Sequence, residues 1–215
     1  MELYTYFRST AAYRVRIALN LKELDADYKF IHLVRDGGEQ HSRDYRQLNP
    51  QGLVPTLING SAPITQSLAI IEYLEEQYPQ HSPLLPKDAA GRARVRALAQ
   101  TVACDIHPLN NLRVLQYMER EMRVDKPARD QWYRHWVEEG FRALESMLAC
   151  SPATGRYCHG ETPGLADICL VPQVFNARRF ECDLGPYPTI MRIERACLEL
   201  EEFSNAAPEN QPDSQ

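Results

Sequence analysis

Before residue 100 the sequence contains no cysteine. The first half of the chain therefore has no thiols for dithiol exchange or for a metal–thiolate centre. All six cysteines, Cys104, Cys150, Cys158, Cys169, Cys182 and Cys197, lie in the second half. None forms a CxxC pair and none sits with histidine at zinc-ligand spacing, which argues against a metal site and for free thiols in a reducing compartment. No apolar run approaches the roughly 18 residues that span a bilayer. The opening Met1-Glu2-Leu3-Tyr4-Thr5-Tyr6 lacks the basic and apolar regions of a secretory signal, so the expected setting is cytoplasmic, away from membranes. Basic charge is also short. With 24 Lys+Arg against 29 Asp+Glu and a net charge of −5, a nucleic-acid partner is disfavoured. From Glu199 onward come Glu201, Glu202, Glu209 and Asp213 but no Lys or Arg, so the tail holds the whole net charge.

What is present is an ordinary globular composition, 44% apolar and 25% charged over 215 residues, enough for one large or two small domains. Glu2–Phe7 alternates as a strand, and Ser9-Thr10 offers cap chemistry before a helical Arg14–Leu21. Asp27–Leu33 is a second strand and Ser42–Leu48 a short helix. The turn Asn49-Pro50-Gln51-Gly52 precedes a strand at Val54–Ile58. Asn59-Gly60 reads as a hairpin turn into a return strand at Ala62–Ile64. Ser67–Gln77 is a helix with Leu68, Ile71 and Leu74 on one side. This βαβαββα order fills residues 1–80. Pro79, Pro83 and Pro86 mark a linker, and residues 88–205 read as all helical. The predicted helical segments there are Ala89–Arg123, interrupted near Pro108, then Ala128–Ala149, Ala166–Arg179 and Pro188–Phe203. Trp132 and Trp136 are expected in the core, and Ser204–Gln215 is expected to be mobile.

Specific segments sharpen the picture. Arg8-Ser9-Thr10-Ala11-Ala12-Tyr13-Arg14-Val15-Arg16-Ile17-Ala18-Leu19 and Leu48-Asn49-Pro50-Gln51-Gly52-Leu53-Val54-Pro55-Thr56-Leu57 resemble signature blocks of the zeta-class glutathione transferases. So do Gln66-Ser67-Leu68-Ala69-Ile70-Ile71-Glu72-Tyr73-Leu74-Glu75-Glu76 and Leu170-Val171-Pro172-Gln173-Val174. The resemblance spans nearly the whole chain. It implies the glutathione transferase fold: an α/β, thioredoxin-like N-terminal domain followed by an all-α C-terminal domain, with glutathione as cofactor and a homodimer as the assembly. The family pattern has Ser-Ser-Cys where this chain has Ser9-Thr10-Ala11.

The residues support an imported thiol on their own terms. A thioredoxin-like half without cysteine cannot do its own dithiol chemistry; if it does thiol chemistry, the thiol must be imported, and the obvious import, glutathione, is a small acidic peptide whose carboxylates need donors. Ser9 and Thr10 stand where a strand meets a helix N-terminus, which favours an anion such as a thiolate; a plain N-cap is the alternative. Gln66-Ser67 opens another helix and suits an α-carboxylate, again unless it is only a cap. The resemblance adds Ala11, Arg14, Gln40 and the Val54 backbone beside a cis Val54-Pro55 bond. In the second domain it adds His107, Asn111, Leu112 and Arg113 as glutathione contacts. Arg8 and Arg179 are candidates to bind a dicarboxylate, since guanidinium groups grip carboxylates bidentately; compensation of a helix dipole is the alternative for Arg179. Glu161–Asp167 resembles the family's capping box, with Gly164 in place of the usual hydroxyl, and belongs to folding rather than chemistry. The implied activity is glutathione-dependent cis–trans isomerisation of a maleyl diketo acid, maleylacetoacetate or maleylpyruvate, in aromatic catabolism, with Ser9, Arg8 and Arg179 at the reacting centre. The alternatives are conjugation or dehalogenation of small electrophilic acids, or a non-catalytic regulator on the same scaffold.

Overall fold

Alternation along Glu2–Thr5 (β1) buries Leu3 and Thr5 on one face. Tyr4 and the following Tyr6 take the other face, where they pack with Tyr45 and Val54. The computed structural model describes residues 1–214. β1 pairs in parallel with β2 (Asp27–Phe30) and antiparallel with β3 (Thr56–Ile58), which pairs antiparallel with β4 (Pro63–Thr65). The sheet order is β2-β1-β3-β4. Helices α1 (Thr10–Leu21) and α3 (Ser67–Gln77) pack on one another, and α2 (Arg43–Leu48) brings Tyr45 to the opposite face. The expected βαβαββα order is thus present, with the first three strands two to three residues shorter than the alternation suggested and the fourth shifted by one residue. The Val54-Pro55 peptide is cis.

The chain divides into two compact units, Met1–Leu84 with the segment from Leu198 on, and Leu85–Cys197. This corrects the expectation of a mobile tail, and of a helical domain running to residue 205. The reason lies on α1, whose side chains at positions 13, 16 and 20 face one way. Tyr13 Oη donates to the Phe203 carbonyl at 3.2 Å, Arg16 Nε to the Ala206 carbonyl at 3.0 Å, and Asn20 Nδ2 to the Glu202 carbonyl at 2.9 Å. With the sheet, α3 and the tail all against it, α1 is buried from Ala12 to Leu19. At its far end the Lys22 ammonium is buried, pairing with Glu75 at 2.8 Å and donating to the carbonyls of Tyr78 and Ser82.

In the second unit α4 (Ala89–Gln100) widens into one π-type segment, Thr101–Ile106, followed by a single turn, α5 (His107–Leu109), and α6 (Leu112–Arg120). The interruption expected near Pro108 falls two residues on, at Asn110-Asn111, with the π-type segment directly before it. α7 (Lys126–Ala149) approaches the widened segment closely at Gly140, where a Cβ would lie 2.3 Å from the Ile106 side chain. The buried stripe of α7 is Tyr133, Val137, Phe141, Leu144 and Leu148. Trp132 and Trp136 flank it half-buried, a correction to their expected core place: the stripe runs one residue later. α8 (Leu165–Arg179) is buried nearly all round, as its apolar sequence requires. The last predicted helix is two pieces, α9 (Pro188–Leu198) and the short α10 (Glu201–Ser204) that belongs to the tail. Among the described residues no helix is long and apolar enough to cross a membrane.

Candidate functional site

Ser9 is the N-cap of α1. Its Oγ accepts from the Ala12 N–H at 3.2 Å, so one lone pair faces the helix while the hydroxyl proton is left to donate elsewhere. No acidic residue stands in the first turn of α1. The positive end of the helix dipole is therefore not neutralised from within. Thr10 is buried and Ala11 half-buried in that turn.

The turn entering α1 is fixed by side chains beneath it. Arg16 is fully buried and its guanidinium donates to the carbonyls of Tyr6 and Phe7 and to Thr5 Oγ1. Burial pulls Arg16 down to about 10, partly offset by Tyr28, Tyr13 and Asp213, and leaves it cationic at neutral pH. Arg8 projects from this turn, exposed, with Nη2 donating to Tyr6 Oη at 3.0 Å and its guanidinium carbon 5.1 Å from the Phe7 ring centroid.

A second helix start is brought to α1. Arg14 is 2% exposed, a rare place for a guanidinium, and its Nη1 donates to Ser67 Oγ at 3.3 Å. Ser67 opens α3, whose first turn also lacks an acid. Gln66 caps α3 at φ 70°, ψ 119°, a left-handed conformation costing a non-glycine residue about 1–3 kcal/mol and characteristic of functional turns. Its amide donates to Gln51 Oε1 at 2.9 Å. Of the predicted residues in this unit, the structure thus joins Arg14 to Ser67 and holds Val54 in the Tyr6–Tyr45 cluster. Gln40 is turned inward: its Nε2 donates to the Leu33 carbonyl at 3.2 Å, and its buried Oε1 has no partner among the described residues.

In the second unit His107 and Asn111 are brought together, with Asn111 Nδ2 3.5 Å from His107 Nε2. Asn111 is also the N-cap of α6, accepting from the Arg113 N–H at 3.1 Å, and Leu112 and Arg113 are exposed in its first turn. At the end of α8 the two adjacent arginines differ. Arg178 is locked in a two-pronged pair with the buried Glu194. Arg179 is exposed, its guanidinium carbon 5.3 Å from the Phe180 ring centroid. The sequence reading missed Tyr6 and Arg16. The signal available was the polar row Tyr13, Arg16, Asn20 along α1, a face that needs a cover.

The start of α8 is closed. Asp167 accepts from the Gly164 N–H at 2.9 Å and the Cys158 N–H at 2.8 Å. Burial outweighs these bonds and pushes its carboxyl above the usual range; the Cys158 thiol beside it is also pushed up, by burial and by Asp167.

Residues 3–82 match the glutathione S-transferase N-terminal domain and residues 126–192 its C-terminal domain. A probable maleylacetoacetate isomerase of Vibrio cholerae is 50% identical over 99% of this chain and 97% of its own. A solved maleyl pyruvate isomerase, described as a bacterial zeta-class glutathione transferase in holo form, is 51% identical with a TM-score of 0.96 over all of both chains. A maleylacetoacetate isomerase of Methylobacterium extorquens AM1, solved with malonate and glutathione bound, is 40% identical with a TM-score of 0.96, again over all of both chains.

Proposed function

The chain belongs to the glutathione S-transferase family, and from that premise we propose that it is a zeta-class, glutathione-dependent isomerase. Its substrate is a maleyl diketo acid, maleylacetoacetate or maleylpyruvate, which it converts to the fumaryl isomer. The observation that carries this reading is a helix start with no acid of its own, capped by a serine whose hydroxyl proton remains available. That arrangement suits an external anion and fits a thiol peptide. The coupling of Arg14 to Ser67 at the start of α3 supplies donors suited to a carboxylate.

Glutathione, when bound, supplies a nucleophilic sulfur that adds reversibly to the conjugated double bond and gives it the single-bond character that permits rotation. Ser9 donates its hydroxyl proton toward that sulfur and, with the N-terminus of α1, favours its anionic form. Thr10 and Ala11 line the same first turn. Arg14, Gln66 and Ser67 hold the γ-glutamyl carboxylate, and the Val54 backbone pairs with the peptide. Gln40 reaches the glycyl end only if its bond to Leu33 opens. His107, Asn111, Leu112 and Arg113 are the contacts assigned to the second unit. Arg8 and Arg179 grip the substrate carboxylates and offset the negative charge that develops on its oxygens. The bound malonate reported for the Methylobacterium relative supports a dicarboxylate as the ligand class. The same reading makes the protein a cytoplasmic homodimer in aromatic catabolism, on the route degrading tyrosine and phenylalanine. A sedimentation profile at the mass of one chain would count against the dimer.

The test is initial rates on both maleyl acids side by side, with and without glutathione. Formation of the trans acid with glutathione recovered unchanged is expected. A stable sulfur conjugate, or no turnover at saturating glutathione, overturns the isomerase reading.

A further inference from the structure

The turn Tyr6-Phe7-Arg8 carries Arg8 and delivers the chain to Ser9, yet it belongs to no regular element. Its carbonyls are held from below by Arg16, at 3.4 Å for Tyr6 and 3.0 Å for Phe7. Ser9 N–H closes the turn on the Tyr6 carbonyl at 3.0 Å. The Phe7 N–H is held by a residue 206 positions away: it donates to Asp213 Oδ2 at 2.9 Å. The other oxygen, Oδ1, is buried and has no hydrogen-bond partner among the described residues. The carboxylate is thus committed to this one backbone group, with the Arg16 cation near enough to feel its charge. The tail that brings Asp213 there is itself built to stay. Tyr13, Arg16 and Asn20 hold its carbonyls, and Gln211 Nε2 donates back to those of Asn205 and Ala207.

We propose that Asp213 is a positioning residue for the turn bearing Arg8 and Ser9, acting through the Phe7 N–H. The Tyr6 carbonyl and the Phe7 N–H belong to one planar peptide unit, so Arg16 on its oxygen and Asp213 on its N–H hold both edges and fix its plane. That plane sets the direction in which the chain runs on to the Arg8 guanidinium and the Ser9 hydroxyl. Misplacement of this kind by less than an ångström weakens a hydrogen bond to a developing charge strongly. The inference rests on the assignment of Ser9 above.

The experiment compares the full-length chain with Asp213→Ala and Asp213→Asn. Three readouts are taken: kcat with a maleyl acid, the pH dependence of thiolate absorbance for bound glutathione, and melting temperature. Asp213→Ala should lower kcat about 10-fold and move thiolate formation to higher pH. Asp213→Asn, which keeps an acceptor oxygen, should recover at least half of both effects on a logarithmic scale. A lower melting temperature with unchanged kcat and unchanged thiolate titration overturns the proposal, leaving Asp213 a tail anchor. So does an asparagine variant as impaired as the alanine one. Should the alanine variant not fold, hydrogen exchange of the unmutated chain decides: the Phe7 amide should exchange slowly, and fast exchange removes the bond on which the inference stands. If the unmutated protein itself shows no thiolate formation at neutral pH, it is the Ser9 assignment that falls, whatever Asp213 does.

Discussion

Two helix starts in this molecule are opposite in physics. α1 begins after Ser9 and α8 after Gly164, both entered from a loop, both inside segments that match the family. At α8 the third residue is an acid, and Asp167 turns its carboxylate back onto the Gly164 and Cys158 N–H groups. The dipole end is neutralised by the chain itself and sealed from water. At α1 the first turn carries no acid, and the cap is a neutral hydroxyl that satisfies only the Ala12 N–H. A sealed start serves folding; an unneutralised one can serve a ligand. The charge within the first turn separates the two cases.

Substitutions at four positions test that contrast, from the largest effect to the smallest. Asp167→Ala strands two backbone N–H groups in a buried site, each worth about 1–3 kcal/mol. Chemical denaturation should show a loss of about 3–4 kcal/mol, with kcat per folded molecule unchanged. Asp167→Asn should cost clearly less, because burial already disfavours the charged carboxyl there. Ser9→Ala should lower kcat about 10²-fold, near 2.7 kcal/mol, and move the acid limb of the rate profile to higher pH. Its stability cost should stay near the ~1 kcal/mol of a lost cap. Equal losses of stability and no kinetic change would erase the distinction between the two starts. Ala11→Asp installs at α1 the acid that α8 has. Glutathione affinity should fall about 10-fold by calorimetry while the melting temperature holds or rises slightly, since the carboxylate favours the helix end and repels an anion. Gly164→Ser goes the other way, adding a hydroxyl at φ −149°, backbone any residue adopts. It should stabilise by a few tenths of a kcal/mol and leave kinetics alone.

Much of the first unit was legible because its signals are local. The helix Ser67–Gln77 falls where its apolar spacing places it, and the order of strands and helices along the chain follows from alternation and the turns. The family blocks named Ser9, Gln66 and Ser67, and the structure puts each at a helix start. What escaped was non-local. The tail from Leu198 is polar and acidic, which reads as solvated, but its backbone carbonyls rather than its side chains are what α1 holds. No composition argument sees a carbonyl. The helical spacing of Trp132 and Trp136 shows that they share a face but not that the face is buried, and the stripe continuing through Phe141, Leu144 and Leu148 points to Tyr133 and Val137 instead. Pro108 marks the neighbourhood of the break, since proline is disruptive in a helix interior, but not its position at Asn110-Asn111, nor the widening at Thr101–Ile106.

The widened segment Thr101–Ile106 has a consequence for everything that follows it. A π-type turn holds one residue more than an α-turn over the same rise, so it acts as a phase shifter within the helix. Each residue of an α-helix advances the face by about 100°. Deleting one residue there would rotate His107 by that angle away from its present bearing, and would set Pro108 in the interior of a regular α-helix, where its ring meets the carbonyl four residues back.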